Sequence, residues 1–230
     1  MINFDYESRI MVIAAHPDDE ILGCGATVNK CTKNGAEVSA LILSTGIASR
    51  GICNKDEIKK LRQNAKKAAD IIGYKKIEFE DFPDNQMDSV CLLDVIKKIN
   101  YHADMFKPNV IFTHHHGDLN IDHRVTFKAV ITAFRPLSNC AVNAILCFET
   151  PSSTEWNFPY YKSVFSPNIF INVEENISDK VEALNCYESE IRTAPHPRSP
   201  ELITAIARRW GSVIDLKYAE AFELIRTRIL

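Results

Sequence analysis

The feature that most constrains this chain is an apolar run, residues 10–14, that leads directly into the polar hexapeptide Ala-His-Pro-Asp-Asp-Glu at residues 15–20. A short apolar run bounded by a polar turn is typical of a buried strand. Residues 21–28 can then begin a helix that ends near Asn34 and Gly35. The hexapeptide is therefore predicted to lie at the carboxyl end of the first strand, where open α/β sheets place their ligand crevices.

Strand and helix patterns alternate along most of the remaining chain. The predicted strands are residues 37–43, 76–79, 110–113, 143–149 and 169–173, the predicted helices are residues 56–72, 92–106 and 124–134, and residues 151–167 are predicted to form a long loop. This alternation predicts a Rossmann-like α/β fold with a mostly parallel sheet and helices on both faces. Because 230 residues suffice for one sizeable core and no linker divides them, we expect a single domain over residues 1–230.

The hexapeptide has two interpretations. His16 and Asp19 are three residues apart across a strand-to-helix turn, so both side chains could face one ion while Asp18 stays free beside it. An imidazole and a carboxylate with an open position suit catalytic zinc, whose bound water has a pKa of about 7, and a free carboxylate next to that water suits a general base. In the alternative, the acidic side chains only cap the helix and complement its dipole.

A second polar cluster favours the metal interpretation. Residues 114–123, with the sequence HHHGDLNIDH, follow the predicted strand 110–113 and precede a predicted helix. Because parallel strands end at the same edge of a sheet, His123 could supply a third ligand to the ion at His16 and Asp19. Two histidines and one carboxylate form a catalytic zinc set and also suit ferrous iron. Asp122 either orients a ligand imidazole or is a helix N-cap or an ordinary acid of the first helical turn.

These two motifs resemble those of the LmbE-like (PIG-L) zinc-dependent N-deacetylases. Further segments are similar to the same family: Arg62, Ala68 and Ile72-Gly73; residues 82–88 with their Pro-Asp-x-x-Met pattern; Lys180, Ala183, Tyr187 and Ser189; and residues 219–222. The resemblance therefore extends over nearly the whole chain, as one LmbE-like domain.

The resemblance implies roles for individual residues. His16, Asp19 and His123 would bind one Zn²⁺ per chain, or another divalent ion such as Fe²⁺. Asp18 would act as the general base. Arg62 and Asp84 would contact substrate hydroxyls or hold the polar network of the site. His196 would enter the active site. From the sequence alone, His196 is one histidine in a polar loop.

One position departs from the family pattern. Many members carry His-x-Asp-His where this chain has Asn-Ile-Asp-His at residues 120–123, and that first histidine helps to stabilise the oxyanion. Either Asn120, a neutral amide donor, or a neighbour such as His115 or His116 is expected to take this role. Separately, Arg50 follows the second strand and either binds a phosphate or carboxylate of the substrate or is a solvated loop residue.

The activity implied is removal of an N-acetyl group from an amino sugar or its conjugate by metal-activated water. Two other functions stay open. A metal-dependent phosphoester hydrolase commonly uses two metals about 3.5–4 Å apart. A nucleotide-binding module without turnover agrees with the α/β pattern, but no Gly-x-Gly-x-x-Gly follows the first strand.

Composition limits the classes of partner and the cell compartment that we expect for this chain. The net charge of -3 does not indicate a nucleic-acid-binding surface. No apolar run reaches the roughly 18 residues of a transmembrane helix. An acidic amino terminus predicts no secretion signal, and seven cysteines without a Cys-x-x-Cys pair predict reduced thiols and a cytoplasmic location. We expect a small-molecule N-acetylated sugar or glycoconjugate as the partner, with a homo-oligomer left open.

Overall fold

The structure is a computed structural model that describes residues 5–47, 55–137, 140–161 and 163–228. Its strands are β1 Arg9–Ala14, β2 Glu37–Ser44, β3 Lys76–Phe82, β4 Val110–His114, β5 Ala144–Phe148, β6 Ile169–Asn172 and β7 Ala219–Thr227. Its α-helices are α1 Asp19–Lys33, α2 Lys55–Ile72, α3 Leu92–Phe106, α4 Ile121–Ala133, α5 Ile177–Asn185 and α6 Pro200–Val213. Short 3₁₀ helices span Met87–Ser89 and Glu155–Tyr161.

The strands form one seven-stranded sheet in the order β3-β2-β1-β4-β5-β7-β6. Strands β1 to β5 pair in parallel, whereas β7 runs antiparallel to both β5 and β6. The central strands are almost wholly buried because both of their faces are covered, which explains their continuous apolar sequences. The predicted mostly parallel α/β sheet is confirmed.

Alternate side chains of β1 enter two separate cores. Ile10 and Val12 pack on the side that carries α1, α2 and α5, while Met11 and Ile13 pack on the side that carries α3 and α4. The period of two along a strand produces this division. Helices therefore cover both faces of the sheet, as predicted.

The helix after β4 begins earlier than predicted, at Ile121 rather than at residue 124. Asn120 caps it, because the Asn120 side-chain carbonyl accepts a hydrogen bond from the Asp122 backbone N–H at 2.8 Å. The earlier start places His123 in the first helical turn. The cap therefore helps to fix the direction in which the His123 side chain points.

Three features of the carboxyl-terminal region differ from the sequence prediction, the first being helix α6, which was not predicted. Residues 151–167 are not a plain loop, because they include the 3₁₀ helix Glu155–Tyr161. Strand β7 was not predicted, since the buried acids Glu220 and Glu223 interrupt its apolar pattern. Among the described residues, no helix combines the length and the apolar character needed to cross a membrane.

Candidate metal centre

Three side chains converge where β1 and β4 end. The distances between their facing atoms are 3.1 Å from His16 Nδ1 to Asp19 Oδ2, 3.2 Å from His16 Nδ1 to His123 Nε2, and 3.2 Å from His123 Nε2 to Asp19 Oδ2. Asp19 and His123 are buried and His16 is nearly so. The structure thus brings together the three residues that the sequence predicts as metal ligands, and we call them the histidine–aspartate cluster.

The surroundings of this cluster favour positive charge. Burial by itself would lower the pKa of His16, but hydrogen bonds to Asp122 and Asp19 outweigh it and raise this pKa to about 10. Burial likewise opposes the charged form of His123, yet the carboxylates of Asp118 and Asp19 raise its pKa to about 9. A cation between these side chains would take the place of the protons.

The donor atoms themselves fit a divalent cation. Asp19 Oδ1 is buried and has no hydrogen-bond partner among the described residues. His16 Nδ1 and His123 Nε2 face each other at 3.2 Å, a contact between two imidazole nitrogens that a shared cation would satisfy on both sides. Two imidazoles, one carboxylate and an open position form the ligand set of catalytic zinc centres.

Each imidazole of the cluster has a carboxylate behind it. Asp122 Oδ2 lies 3.1 Å from His16 Nε2 and also accepts the backbone N–H of Asn85 at 2.6 Å. Asp84 Oδ1 is 3.3 Å from His16 Nε2. Such carboxylates fix the ring orientation of a ligand histidine and raise its basicity. Asp122 therefore contacts an imidazole and also lies in the first turn of α4, whose cap is Asn120.

Sequence reasoning missed Asp118, the carboxylate behind His123. Asp118 Oδ1 is 3.1 Å from His123 Nδ1, and the side chain is fully buried. It accepts hydrogen bonds from the hydroxyls of Ser153 and Thr154. Burial opposes the anion, but His123 and these hydroxyls hold the pKa of Asp118 well below its usual range. Its hydroxyl partners lie 35 and 36 positions away in the chain, so the local sequence does not distinguish Asp118 from Asp122, the other acid of this segment.

His114 forms a buried wall of the cluster. Its ring stacks on that of His123 with 3.9 Å between centroids, and its Nε2 accepts the backbone N–H of Ala15 at 2.9 Å. Burial and the charge of His123 lower the pKa of His114 well below its usual range, so this ring is neutral. The contact ties the end of β4 to the turn after β1.

Asp18 stands directly before α1 with φ of 109°, in the left-handed region. For a residue with a side chain, this conformation costs about 1–3 kcal/mol, and such strain clusters at functional sites. Its backbone N–H donates to Glu20 Oε2 at 3.0 Å, and Tyr187 donates to the other oxygen of Glu20. The third acid of the hexapeptide therefore supports the turn that presents Asp18.

The carboxylate of Asp18 is buried and pairs with Arg198, whose Nη1 lies 2.8 Å from Asp18 Oδ2. Burial raises the pKa of Asp18 to about 7, while the positive charge of Arg198 opposes the rise. Arg198 also donates through Nε to Ser152 Oγ at 2.7 Å. The sequence singled out His196 in this loop, yet Arg198 is the residue that reaches the hexapeptide.

The other predicted site residues lie as follows. Arg62 donates to Asp81 Oδ1 at 2.5 Å and stacks over the ring of Phe79, and neither contact involves the histidine–aspartate cluster. His196 accepts the backbone N–H of Arg198 at 3.1 Å and meets Trp156 edge-on with 5.6 Å between centroids. Arg50 lies outside the described residues. Substrate-binding roles for these residues stay predictions.

Asn120 has both of its amide groups engaged at the start of α4. Besides capping the helix, it donates from Nδ2 to Asn85 Oδ1 at 2.9 Å. An amide NH₂ carries two N–H groups, so one of them is left for another acceptor. Asn120 therefore retains an N–H group for the predicted hydrogen bond to an oxyanion.

Both motifs of this site lie within a segment that matches a known protein family. Residues 11–134, just over half of the chain, match the family model described as PIG-L: GlcNAc-PI de-N-acetylase. An uncharacterized deacetylase, YaiS, from Escherichia coli (strain K12) is 29% identical over 78% of this chain and 90% of its own. The diacetylchitobiose deacetylase of Thermococcus kodakarensis is 24% identical over 96% of this chain and 85% of its own.

The fold alone does not fix a reaction. The crystal structure of 4-carboxy-2-hydroxymuconate hydratase from Pseudomonas putida KT2440 superposes with a TM-score of 0.76 at 19% identity, covering 96% of this chain and 97% of that one. Family membership instead rests on the sequence match, which includes both motifs of the histidine–aspartate cluster. The chain belongs to the PIG-L (LmbE-like) family of de-N-acetylases.

Proposed function

We propose that this protein is a zinc-dependent hydrolase that removes the N-acetyl group of an amino sugar or its conjugate and releases acetate and the free amine. The observation that carries the proposal is the convergence of His16 Nδ1, Asp19 Oδ2 and His123 Nε2 beside the buried carboxylate of Asp18. The family supports amide hydrolysis, and the diacetylchitobiose deacetylase supports N-acetylated sugars as the substrate class. Fe²⁺ is the alternative ion for this ligand set.

His16, Asp19 and His123 would hold the ion. When bound, it would supply Lewis-acid chemistry that polarises the acetyl carbonyl and lowers the pKa of the attacking water. Asp122 and Asp118 lie 3.1 Å from the outward nitrogens of the two histidines. They keep the inward nitrogens aimed at one point, which a catalytic site requires.

Asp18 is the proposed general base. It takes a proton from the water as the water oxygen attacks the acetyl carbon, and it returns the proton to the amine nitrogen as the carbon–nitrogen bond breaks. A pKa of about 7 suits both transfers near neutral pH. Arg198 binds Asp18 Oδ2 at 2.8 Å, so in this proposal it orients the carboxylate and leaves Oδ1 for the proton.

Asn120 is the proposed donor to the oxyanion. His115 and His116, the alternatives from the sequence, contact Glu223 and Ser163 instead. Asp84 extends the polar network at His16, while Arg50, Arg62 and His196 stay predicted contacts of the substrate. A single domain over residues 1–230, a cytoplasmic location and a homo-oligomer stay predictions as well.

The test measures acetate release by metal-depleted protein before and after Zn²⁺ is restored. The substrates are diacetylchitobiose, single N-acetylated sugars and nucleotide sugars. Asp18→Asn should lower kcat about 10²–10⁴-fold, the usual contribution of a general base, with its folding unchanged. The matched control is Asp94→Asn, on the exposed face of α3, which should retain full activity.

The outcomes separate the parts of the proposal. Zinc-dependent release that Asp18→Asn abolishes supports the whole mechanism. Full activity in Asp18→Asn would assign the proton transfer to another residue. Zinc binding without acetate release on any substrate would overturn N-acetyl hydrolysis and direct the search to another acyl group or bond.

A further inference from the structure

A second group of side chains that could hold a metal ion lies near the end of β4, next to His114. His115 and His116 follow β4, and Glu223 stands on β7. Glu223 Oε2 is 2.6 Å from His115 Nδ1 and 3.9 Å from His116 Nδ1. One ligand atom from each residue lies within 4.8 Å of the others. We call these three residues the Glu223 cluster.

The hydrogen bonds around this cluster turn the ligand atoms toward each other. Ser166 donates its backbone N–H to Glu223 Oε1 at 2.7 Å, which leaves Oε2 facing both rings. Ser163 Oγ lies 2.6 Å from His116 Nε2, so His116 presents Nδ1 to Glu223. At 3.9 Å, that nitrogen is too far from the carboxylate for a hydrogen bond.

The turn that carries both histidines is closely packed. A Cβ on Gly117 would lie 2.5 Å from Ser163 Cβ and 2.7 Å from His115 Nε2, so this position needs glycine. Phe165 meets the His115 ring edge-on at 5.5 Å, and Phe127 lies 5.3 Å from the His116 ring. The two imidazoles are therefore held before any ligand binds.

We propose that the Glu223 cluster is a second binding site for a divalent transition-metal ion, Zn²⁺ in particular, separate from the histidine–aspartate cluster. Two imidazoles and a carboxylate are the donors that such ions prefer. Metal–ligand distances of about 2.0–2.2 Å in a tetrahedron separate the ligand atoms by roughly 3.3–3.6 Å. The observed 2.6 Å and 3.9 Å lie on either side of that value, so small side-chain movements suffice.

Access and burial differ among the three ligands in a way that suits an exchangeable ion. The His116 side chain is 45% exposed, whereas that of His115 is fully buried. An ion would enter from the His116 side and keep a position for solvent there. Bound at this site, it would join the end of β4 to β7 one residue beyond His114, whose ring stacks on His123.

The test is a Zn²⁺ titration of metal-depleted full-length protein in competition with a chromophoric chelator. Wild type should bind two equivalents, and His123→Ala, which lacks a ligand of the first site, should keep one. His116→Gln should lose the other equivalent with at least about a 100-fold loss of affinity, more than loss of an outer partner causes. Glu223→Gln provides a second variant with the same expectation.

The matched control is His102→Gln, because His102 also contacts a glutamate, Glu80, at 2.9 Å but lies on α3. It should still bind two equivalents. Retention of both equivalents in His116→Gln and Glu223→Gln, or a single equivalent in wild type, would overturn the proposal. The readout is metal binding, so failure of the proposed deacetylation would leave this result intact.

Discussion

The two halves of the molecule contribute to the site in different ways. The amino-terminal half, up to residue 134, holds the parallel strands β1 to β4 and all three members of the histidine–aspartate cluster. The carboxyl-terminal half, from residue 140, holds the antiparallel pairs of β7 and supplies Arg198, Ser153 and Thr154. The family model matches residues 11–134 and so ends with the first half.

This difference shows how the functional side chains of each half reach the site. In the first half, His16 and Asp19 follow directly on β1 and His123 lies in the first turn of the helix after β4, so the parallel sheet gathers them at one edge. In the second half, single residues act across long stretches of chain: Arg198 reaches Asp18 over 180 positions. We infer that the first half supplies the reacting groups and the second half holds them in position.

The strongest test of this division within the first half is Asn120→Ser. Serine keeps the cap of α4 but removes the amide donor proposed for the oxyanion, so kcat should fall about 10²–10³-fold. The thermal midpoint should stay close to that of wild type, because the capping oxygen is retained. Steady-state kinetics at saturating Zn²⁺ and a thermal melt measure both. An unchanged kcat would remove Asn120 from the reacting groups.

Arg198 tests the second half. Replacing it with lysine keeps the charge but not the paired contacts with Asp18 and Ser152, so kcat should fall about 10–100-fold with little change in KM. Arg198→Met should lower kcat further. The control, Arg192→Met, alters an exposed arginine whose hydrogen bonds within the described part of the chain go to neighbouring backbone carbonyls, and it should leave kcat unchanged. A wild-type kcat in both the lysine and the methionine variants would contradict a positioning role.

The same division marks what could be predicted from the sequence. Five parallel strands and the His16, Asp19, His123 set follow from apolar runs that end in polar turns, which are local patterns. The role of Asp118 could not be predicted, because Ser153 and Thr154, which hold it, become its neighbours only in the folded chain. Strand β7 was missed for a related reason: the buried Glu220 is compensated by Lys180 of α5 at 2.6 Å and by backbone N–H groups of α1, all distant in sequence.

Two carboxylates allow a direct comparison of the halves in metal binding. Asp118 is held by Ser153 and Thr154 of the second half, whereas Asp122 is held by backbone N–H groups of Asn85 and Met87 in the first. Either Asp→Asn change should weaken Zn²⁺ binding at the histidine–aspartate cluster about 10–100-fold, because it removes the charge behind a ligand imidazole. Chelator competition with His116→Gln as the background isolates this site. Unaltered affinity in Asp118→Asn would leave that residue a purely structural role.

The smallest effect is expected at the start of α6, next to Arg198. Ser199 Oγ accepts the backbone N–H of Leu202 at 3.2 Å, so Ser199→Ala should cost about 1 kcal/mol of unfolding free energy and lower the thermal midpoint by about 2–4 °C. If Arg198 is held chiefly by Asp18 and Ser152, kcat of this variant at 25 °C should stay within about twofold of wild type, because the loss of a cap loosens only the first helical turn. A larger fall in kcat, approaching that of Arg198→Lys, would show that the helix start itself places the guanidinium. The second half would then act on the reacting groups through its backbone as well as through one side chain.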